Sequence, residues 1–394
     1  MKRVFSPFIL LCGTGMFAIF SSTMSKNPVL PLFTKSLGAS ESVIGVIAAA
    51  STVTGIIVSL PAGVLSDFYG RRKVILSAAF VFASAPFLYF LINAPWQLAV
   101  VRVYHGLATA IFGPVAMALV ADLFVERRGE SMGWYSSATL VGRSIAPIVG
   151  GTIIYRYGYK NVYFGCGAAG ILMLILATII PIEREARSVP AEPSVGAGFK
   201  PVSTRMGRGL KEIGKSRGIM VTSFVEAIQY LSFGALETFL PLYCASVNIN
   251  VAAVGMLFTI QLIGTTLTKP VMGRLSDKYG RKTMISLGLI LGALALGIIP
   301  FFNTFWALIP SAVLFGISLA TVTASTAAFV SDLAKAGSYG SALGVMSTIM
   351  DIGHASGPII AGILVSKLSY MPMFLVISVV LLLVGGSFPL LVKE

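Results

Sequence analysis

The chain has 394 residues, 56% of them hydrophobic and 11% charged, with a formal net charge of +14. A soluble globular domain carries about a quarter charged residues, and a disordered chain needs low hydrophobicity with high charge, so neither class fits. The basic excess suits nucleic acid, anionic lipid or membrane topology, and its distribution along the chain decides among them.

An apolar run needs roughly 20 residues to cross a ~30 Å hydrocarbon core. Twelve runs qualify: 6–34, 42–66, 74–92, 96–124, 132–155, 161–181, 219–245, 252–275, 283–302, 305–331, 340–367 and 371–392. Helices satisfy their own backbone polar groups in lipid, and the runs are too long for barrel strands. The expected fold class is therefore an all-α membrane protein with twelve transmembrane helices. The first run follows Met1-Lys2-Arg3 like a signal peptide, but it is too long and lacks a small-residue cleavage site, so it reads as the first span. Between the sixth and seventh runs, Glu183 to Arg217 is hydrophilic and rich in Pro, Gly and Ser, as a linker would be. The expected organisation is a six-helix bundle over 1–182, a cytoplasmic loop over 183–217 and a second bundle over 218–394. Cys12, Cys166 and Cys244 are odd in number and show no C-x-x-C spacing, so neither a disulfide framework nor a zinc site is indicated.

Lysine and arginine now sort by side. With a cytoplasmic N-terminus, twenty-one of them flank the cytoplasmic ends of the spans and four the opposite ends. The positive-inside rule then puts both termini and the central loop in the cytoplasm of a multi-pass plasma-membrane (inner-membrane) protein. Membrane lipid is the expected partner of these charges, and no nucleic acid is expected. The two halves also repeat. Pro31, Gly45, Asn93, Trp96 and Asp122 recur as Pro241, Gly255, Asn303, Trp306 and Asp332, all at one offset. The run from Gly63 to Arg72 recurs as Gly273 to Lys282, and Gly142 and Pro147 match Gly353 and Pro358 one residue further on. So constant an offset implies two parallel halves related by a pseudo-twofold axis.

The duplicated G-x-L-S-D-x-Y-G-R-[RK] loop resembles the signature of the major facilitator superfamily, and the resemblance extends over the whole chain. Arg102 to Gly106 resembles the R-x-x-x-G motif of that family's fourth helix. Gly142 to Gly151 resembles the fifth-helix motif associated with antiporters, with Ala146 where that motif has Gly, and the twelve-span drug:proton antiporters are the most similar branch. The resemblance implies two pseudo-symmetric six-helix bundles rocking about a midplane cavity, as a monomer. It also implies that the loops latch the halves in one conformation, which makes Asp67, Arg71, Asp277 and Arg281 candidates for a conformational switch. The Gly/Pro run of span five serves either close packing or bending. Neither a Walker loop, a G-x-S-x-G elbow nor an H-E-x-x-H helix is present, so an enzyme is not expected. No cofactor is expected either, a proton gradient being the implied source of energy.

Ionisable groups inside spans are costly and point to function. Here they are Lys26, Arg102, His105, Arg143, Glu226, Glu237, Lys269, Asp351 and His354, of which Lys269 lies near a span end and is expected to snorkel. In span seven, Glu226, Gln229, Tyr230, Phe233 and Glu237 recur along one helical face. The two carboxylates are eleven residues apart, or ~16 Å, too far to act as a close pair. Glu237 is the repeat equivalent of Asn27, beside Lys26, and a Lys26–Glu237 ion pair is expected at an outer gate. Arg102 and His105 share a face of span four, and a nearby carboxylate such as Glu226 would titrate against that fixed charge. Arg143 and His354 stand at repeat-related places beside the Gly/Pro runs. Gln261 and Asp351 complete the expected cavity set.

The first functional expectation is a secondary transporter exporting a small hydrophobic or cationic compound against protons, although Lys26 stands where many drug exporters place an acid. The second is transport of an anionic metabolite held by Arg102, Arg143 and Lys26. The third is a soft metal on Met346, Met350 and His354, spaced i, i+4, i+8.

Overall fold

The computed structural model describes residues 6–180, 216–334 and 339–392. The expected linker lies outside the described residues except for its last two, as do Lys2, Arg3, Lys335 and Lys393. Thirteen α-helices are present among the described residues: α1 (Pro7–Lys26), α2 (Val29–Ser36), α3 (Glu41–Tyr69), α4 (Arg71–Leu88), α5 (Pro95–Leu123), α6 (Arg128–Tyr157), α7 (Tyr159–Ile179), α8 (Arg217–Ser246), α9 (Val251–Tyr279), α10 (Arg281–Ile298), α11 (Phe305–Leu333), α12 (Tyr339–Lys367) and α13 (Tyr370–Leu391). They make twelve candidate spans, because α1 and α2 together form the first.

That break is a difference from the uninterrupted run expected over 6–34. Asn27 leaves the helix in an extended conformation, and Pro28 has no N–H with which to continue it. The equivalent α8 runs on through Pro241 without interruption. Several helices also outrun their apolar segments: α3 and α9 reach 29 residues, ~43 Å at 1.5 Å per residue. Both stop at a glycine of the repeated loop, Gly70 at φ +88 and Gly280 at φ +91. There an L side chain would be strained, which explains why glycine recurs at both.

The N-terminal half holds two apolar clusters, one around Phe82, Phe112, Tyr135 and Met173 toward the repeated loop, the other around Met24, Tyr89, Leu98 and Tyr163. The C-terminal half has one long core running from Phe329 and Phe388 through Phe315 to Phe239 and Phe374, and a small separate cluster of Ile219, Val330, Ala342 and Met346. α2 meets α8 across the halves, and two larger helix pairs join them, α3 with α12 and α6 with α9. Each is a close backbone approach at a repeat-related glycine: a Cβ on Gly45 would strike the Pro358 carbonyl, and one on Gly255 the Pro147 carbonyl. Inside each half the same Gly/Pro segments press on the first helix, Gly142 against the Met16 carbonyl of α1 and Gly353 against the Ala227 carbonyl of α8. The span-five run, open between packing and bending on sequence, is thus a packing surface on two sides.

The contacts between halves gather at one end. Hydrogen bonds across the halves, among the described residues, are those of Lys26 and Asn27 to Glu237 and of Ser42 to Ser366 and to the Gly362 carbonyl. All lie at the end remote from the repeated loops, so the halves close there and part toward the loops.

Candidate functional site

Between the halves lies a cavity of about 320 Å³. Lys26 of α1, Ser51 and Ser59 of α3, Arg102, His105 and Thr109 of α5, Arg143 of α6, and Asp351 and His354 of α12 stand in its wall. Its lining is therefore polar and rich in cations. Six of the residues expected at the cavity from sequence line it: Lys26, Arg102, His105, Arg143, Asp351 and His354.

At the closed end the wall is tied to Glu237. The Lys26 Nζ donates to Glu237 Oε2 at 2.9 Å, the Asn27 amide to Oε1 at 2.6 Å, and His354 Nε2 lies 3.0 Å from Oε2. The ion pair expected from the repeat is present, and two further groups share its carboxylate. Lys26 and Asn27 belong to one half, Glu237 and His354 to the other, so a single carboxylate spans the seam. Burial makes its partners necessary, since Glu237 is 8% exposed and an unpaired buried carboxylate is costly. His354 is held from its own half as well: Phe233 stacks on its ring at 5.6 Å and Tyr230 meets it edge-on at 6.0 Å.

On the opposite wall Arg102 is 3% exposed. Its guanidinium donates to Ser51 Oγ at 2.5 Å and to the Tyr89 hydroxyl at 3.4 Å. Its Nε has no hydrogen-bond partner among the described residues. The Tyr89 hydroxyl also lies 3.3 Å from His105 Nδ1, and the Tyr89 ring stacks on Tyr163 at 3.9 Å. His105 Nε2 is likewise buried and unpartnered. Arg102 and His105 do share one face, joined through a tyrosine from the end of α4.

Four expectations fail in placement. Glu226 does not meet Arg102: it accepts from Thr326 Oγ1 of α11 at 2.6 Å, inside the C-terminal half. Gln229 turns into the same half, its Nε2 donating to Ser318 at 3.2 Å. The expected single face of span seven covers about 100°, and its two margins serve different neighbours, α11 on one side and α12 on the other. Gln261 is 1% exposed among Leu236, Leu257 and Phe258, away from the main cavity. The methionine stripe is not assembled either. Met346 packs with Ile219, Val330 and Ala342, while His354 is engaged by Glu237. Lys269 is exposed near the loop end of α9, as a snorkelling lysine would be.

The repeated loops form one network twice. Arg71 pairs with Asp67 at 2.6 Å and with Asp122 at 3.1 Å, and Arg281 with Asp277 and with Asp332 at 3.1 Å. In each half the arginine ties the loop to the end of the fourth span. These partners all lie in the arginine's own half, so through Arg71 and Arg281 the loops brace each half. Asp122 and Asp332 were visible in the sequence only as a repeated pair. Asn27, Ser51, Tyr89 and Thr326 are neutral residues that sequence reasoning passed over; for Asn27 alone there was a signal, its register with Glu237.

Comparison with known proteins agrees with this architecture. The family model described as Major Facilitator Superfamily matches residues 11–247 and 222–394. An MFS-type transporter of Methanocaldococcus jannaschii is 26% identical over 390 residues, 98% of this chain and 96% of that protein. The multidrug resistance protein MdtG of Enterobacter lignolyticus is 26% identical over 379 residues, 93% of this chain and 86% of that protein. Among solved structures, the nucleoside transporter NupG superposes with a TM-score of 0.81 at 13% identity, covering 99% of this chain and all of that one. That last likeness concerns the fold.

Proposed function

The chain belongs to the major facilitator superfamily, and from that premise we propose that it is a proton-coupled exporter of a small, partly hydrophobic organic compound. It works by alternating access, with both termini and the repeated loops on the cytoplasmic side. The observation that carries this reading is the seam at Glu237. The carboxylate that holds the far end closed is bonded to Lys26 and His354, which are also wall groups of the cavity. A proton on Glu237 removes the charge that Lys26 and His354 share, which loosens the far end. As the seam re-forms, Lys26 displaces the proton into the cavity that then faces the loops, so a proton taken up at the far side is released on the loop side. Closure and proton occupancy are thereby linked through one group, as coupled transport requires. The name of the relative MdtG supports export of a drug-like compound, and the polar, solvent-facing cavity suits a ligand bound for release on the other side.

Uptake into proteoliposomes under an imposed pH gradient tests the reading, comparing a lipophilic cation with an organic anion. Flux of either compound that collapses with the gradient and is lost in Glu237→Gln is the expected result. Flux indifferent to both the gradient and Glu237 would refute proton coupling through this seam.

A further inference from the structure

The charges around the cavity do not balance. Lys26 is answered by Glu237. That leaves Arg102 and Arg143, neither within 4.0 Å of a carboxylate among the described residues, and one remaining acid in the wall, Asp351, which forms no ion pair there either. The wall carries one positive charge more than it can neutralise.

Arg102 makes the imbalance specific. A guanidinium has five N–H donors in a rigid fork, and burying it without a counter-ion is costly. Here a hydroxyl from Ser51 and a phenol from Tyr89 hold it in place, the phenol itself fixed by stacking on Tyr163. None of these partners neutralises it. Its Nε and the neighbouring His105 Nε2, one helical turn on, are buried polar atoms without a partner among the described residues, in side chains that line the cavity. Arg143 reaches the cavity from α6 and is exposed to it. The same cavity meets His354 of the seam, so the site lies between the Arg102 wall and the Glu237 seam.

We propose that Arg102, His105 and Arg143 form an anion subsite, and that the transported compound carries a single carboxylate on an apolar body. This inference rests on the export reading above and names its substrate class. A monoanion follows from the charge count: one negative charge neutralises the wall, whereas a phosphate dianion overshoots and an ammonium compound adds to the excess. A planar carboxylate also suits a guanidinium edge, which offers two parallel N–H groups.

The test is equilibrium binding to the purified full chain by calorimetry. The probes are aromatic carboxylates graded from benzoate to naphthoate, each with its amide, its aminomethyl analogue and its phosphate monoester counterpart. Carboxylates are expected to bind about tenfold or more tightly than the matched amides, the effect of one charge-assisted contact. Arg102→Gln and Arg143→Gln are each expected to remove most of that preference, and Arg102→Lys to retain part of it. Arg143 is exposed to the cavity, so its variant keeps the test valid if Arg102→Gln does not fold. Failure of every carboxylate to bind overturns the subsite. Amides or ammonium compounds binding as tightly as carboxylates, or a folded Arg143→Gln chain that keeps the full preference, overturns it too. Gradient-driven flux of an ammonium compound without carboxylate binding would refute the subsite and leave the export reading standing. Carboxylate binding without gradient-driven flux of any compound would do the reverse.

Discussion

Glu237 is one carboxylate with three donors, from α1, from the α1–α2 junction and from α12, and its environment explains why the pair with Lys26 is not an ordinary surface bridge. Exposed pairs contribute little, but removing one member of a buried pair costs about 3–5 kcal/mol because the other is left uncompensated. Lys26→Glu puts two carboxylates at the seam, and Glu237→Lys puts two ammonium groups there. Each single reversal is expected to abolish transport and lower thermal stability in detergent. The double reversal restores one charge of each sign to the same two places and is expected to recover a substantial part of both. Transport assays and unfolding curves on the three variants check this, and a double variant no better than the singles would show that the pair is not coupled. This pair is legible in the sequence because the repeat aligns Glu237 with Asn27 and puts Lys26 next to it. The Arg102 wall is legible only in part. Tyr89 and Ser51 carry no charge and stand in other helices, so only packing reveals that they hold the guanidinium. Gln229 misleads for a different reason: residues 229 and 230 point 100° apart on a helix, and a broad polar stripe does not say which margin meets the cavity.

At the scale of elements, closure of the far end rests on helices brought together by glycine. Gly45 on α3 and Gly255 on α9 admit the carbonyls of Pro358 and Pro147, so the same contact is made on both sides of the pseudo-twofold axis. Gly255→Val places a branched side chain where that carbonyl now sits. Overpacking of this kind typically costs about 1–3 kcal/mol, and here the cost falls on the closed far end, not on the folding of either half. The variant is expected to shift the population toward the conformation open at that end, with spin-label distances across α6 and α9 lengthening while those within each half stay the same. The neighbouring contact supplies the opposite perturbation. Ser42 and Ser366 hydroxyls are 2.9 Å apart across the halves. Replacing both by cysteine is therefore expected to allow a disulfide that locks the far end shut. Transport would then stop under oxidation and resume on reduction, and uninterrupted transport by the fully cross-linked chain would contradict a far end that must open. Twelve spans and their order can be read from apolar length alone, whereas the break between α1 and α2 cannot. Pro28 marks the break, but Pro31, three residues on, and its counterpart Pro241 both lie inside helices, so a proline alone does not show where the chain is interrupted.

For the molecule as a whole, the sequence repeat foretells the pairing of halves but not which way the cavity faces. An alternating-access chain must encode both arrangements with similar free energies, so no local pattern favours one. The structure holds the arrangement in which contacts between halves gather at the far end, while the loop networks of Arg71 and Arg281 are confined to their own halves. Access should then be one-sided. Ser59 lines the cavity on the loop side of Ser51 and Arg102, and the native cysteines offer little background, with Cys166 and Cys244 buried and Cys12 half-buried. In a chain carrying Ser59→Cys and Cys12→Ser, a membrane-impermeant thiol reagent is expected to label position 59 from the loop face, in inside-out vesicles if those loops are cytoplasmic. From the other face labelling should be slow and should require turnover. Adding the Ser42→Cys and Ser366→Cys lock should abolish the slow component and leave the fast one unchanged, because the disulfide holds the far end and does not obstruct the loop side. Rapid labelling from the far face with the lock in place would mean that the seam at Glu237 is not the barrier. The same measurement orients the protein independently of its charge. The basic excess flanks the loops, and fast labelling from the cytoplasmic face alone would tie the open mouth of the cavity to the side that carries it.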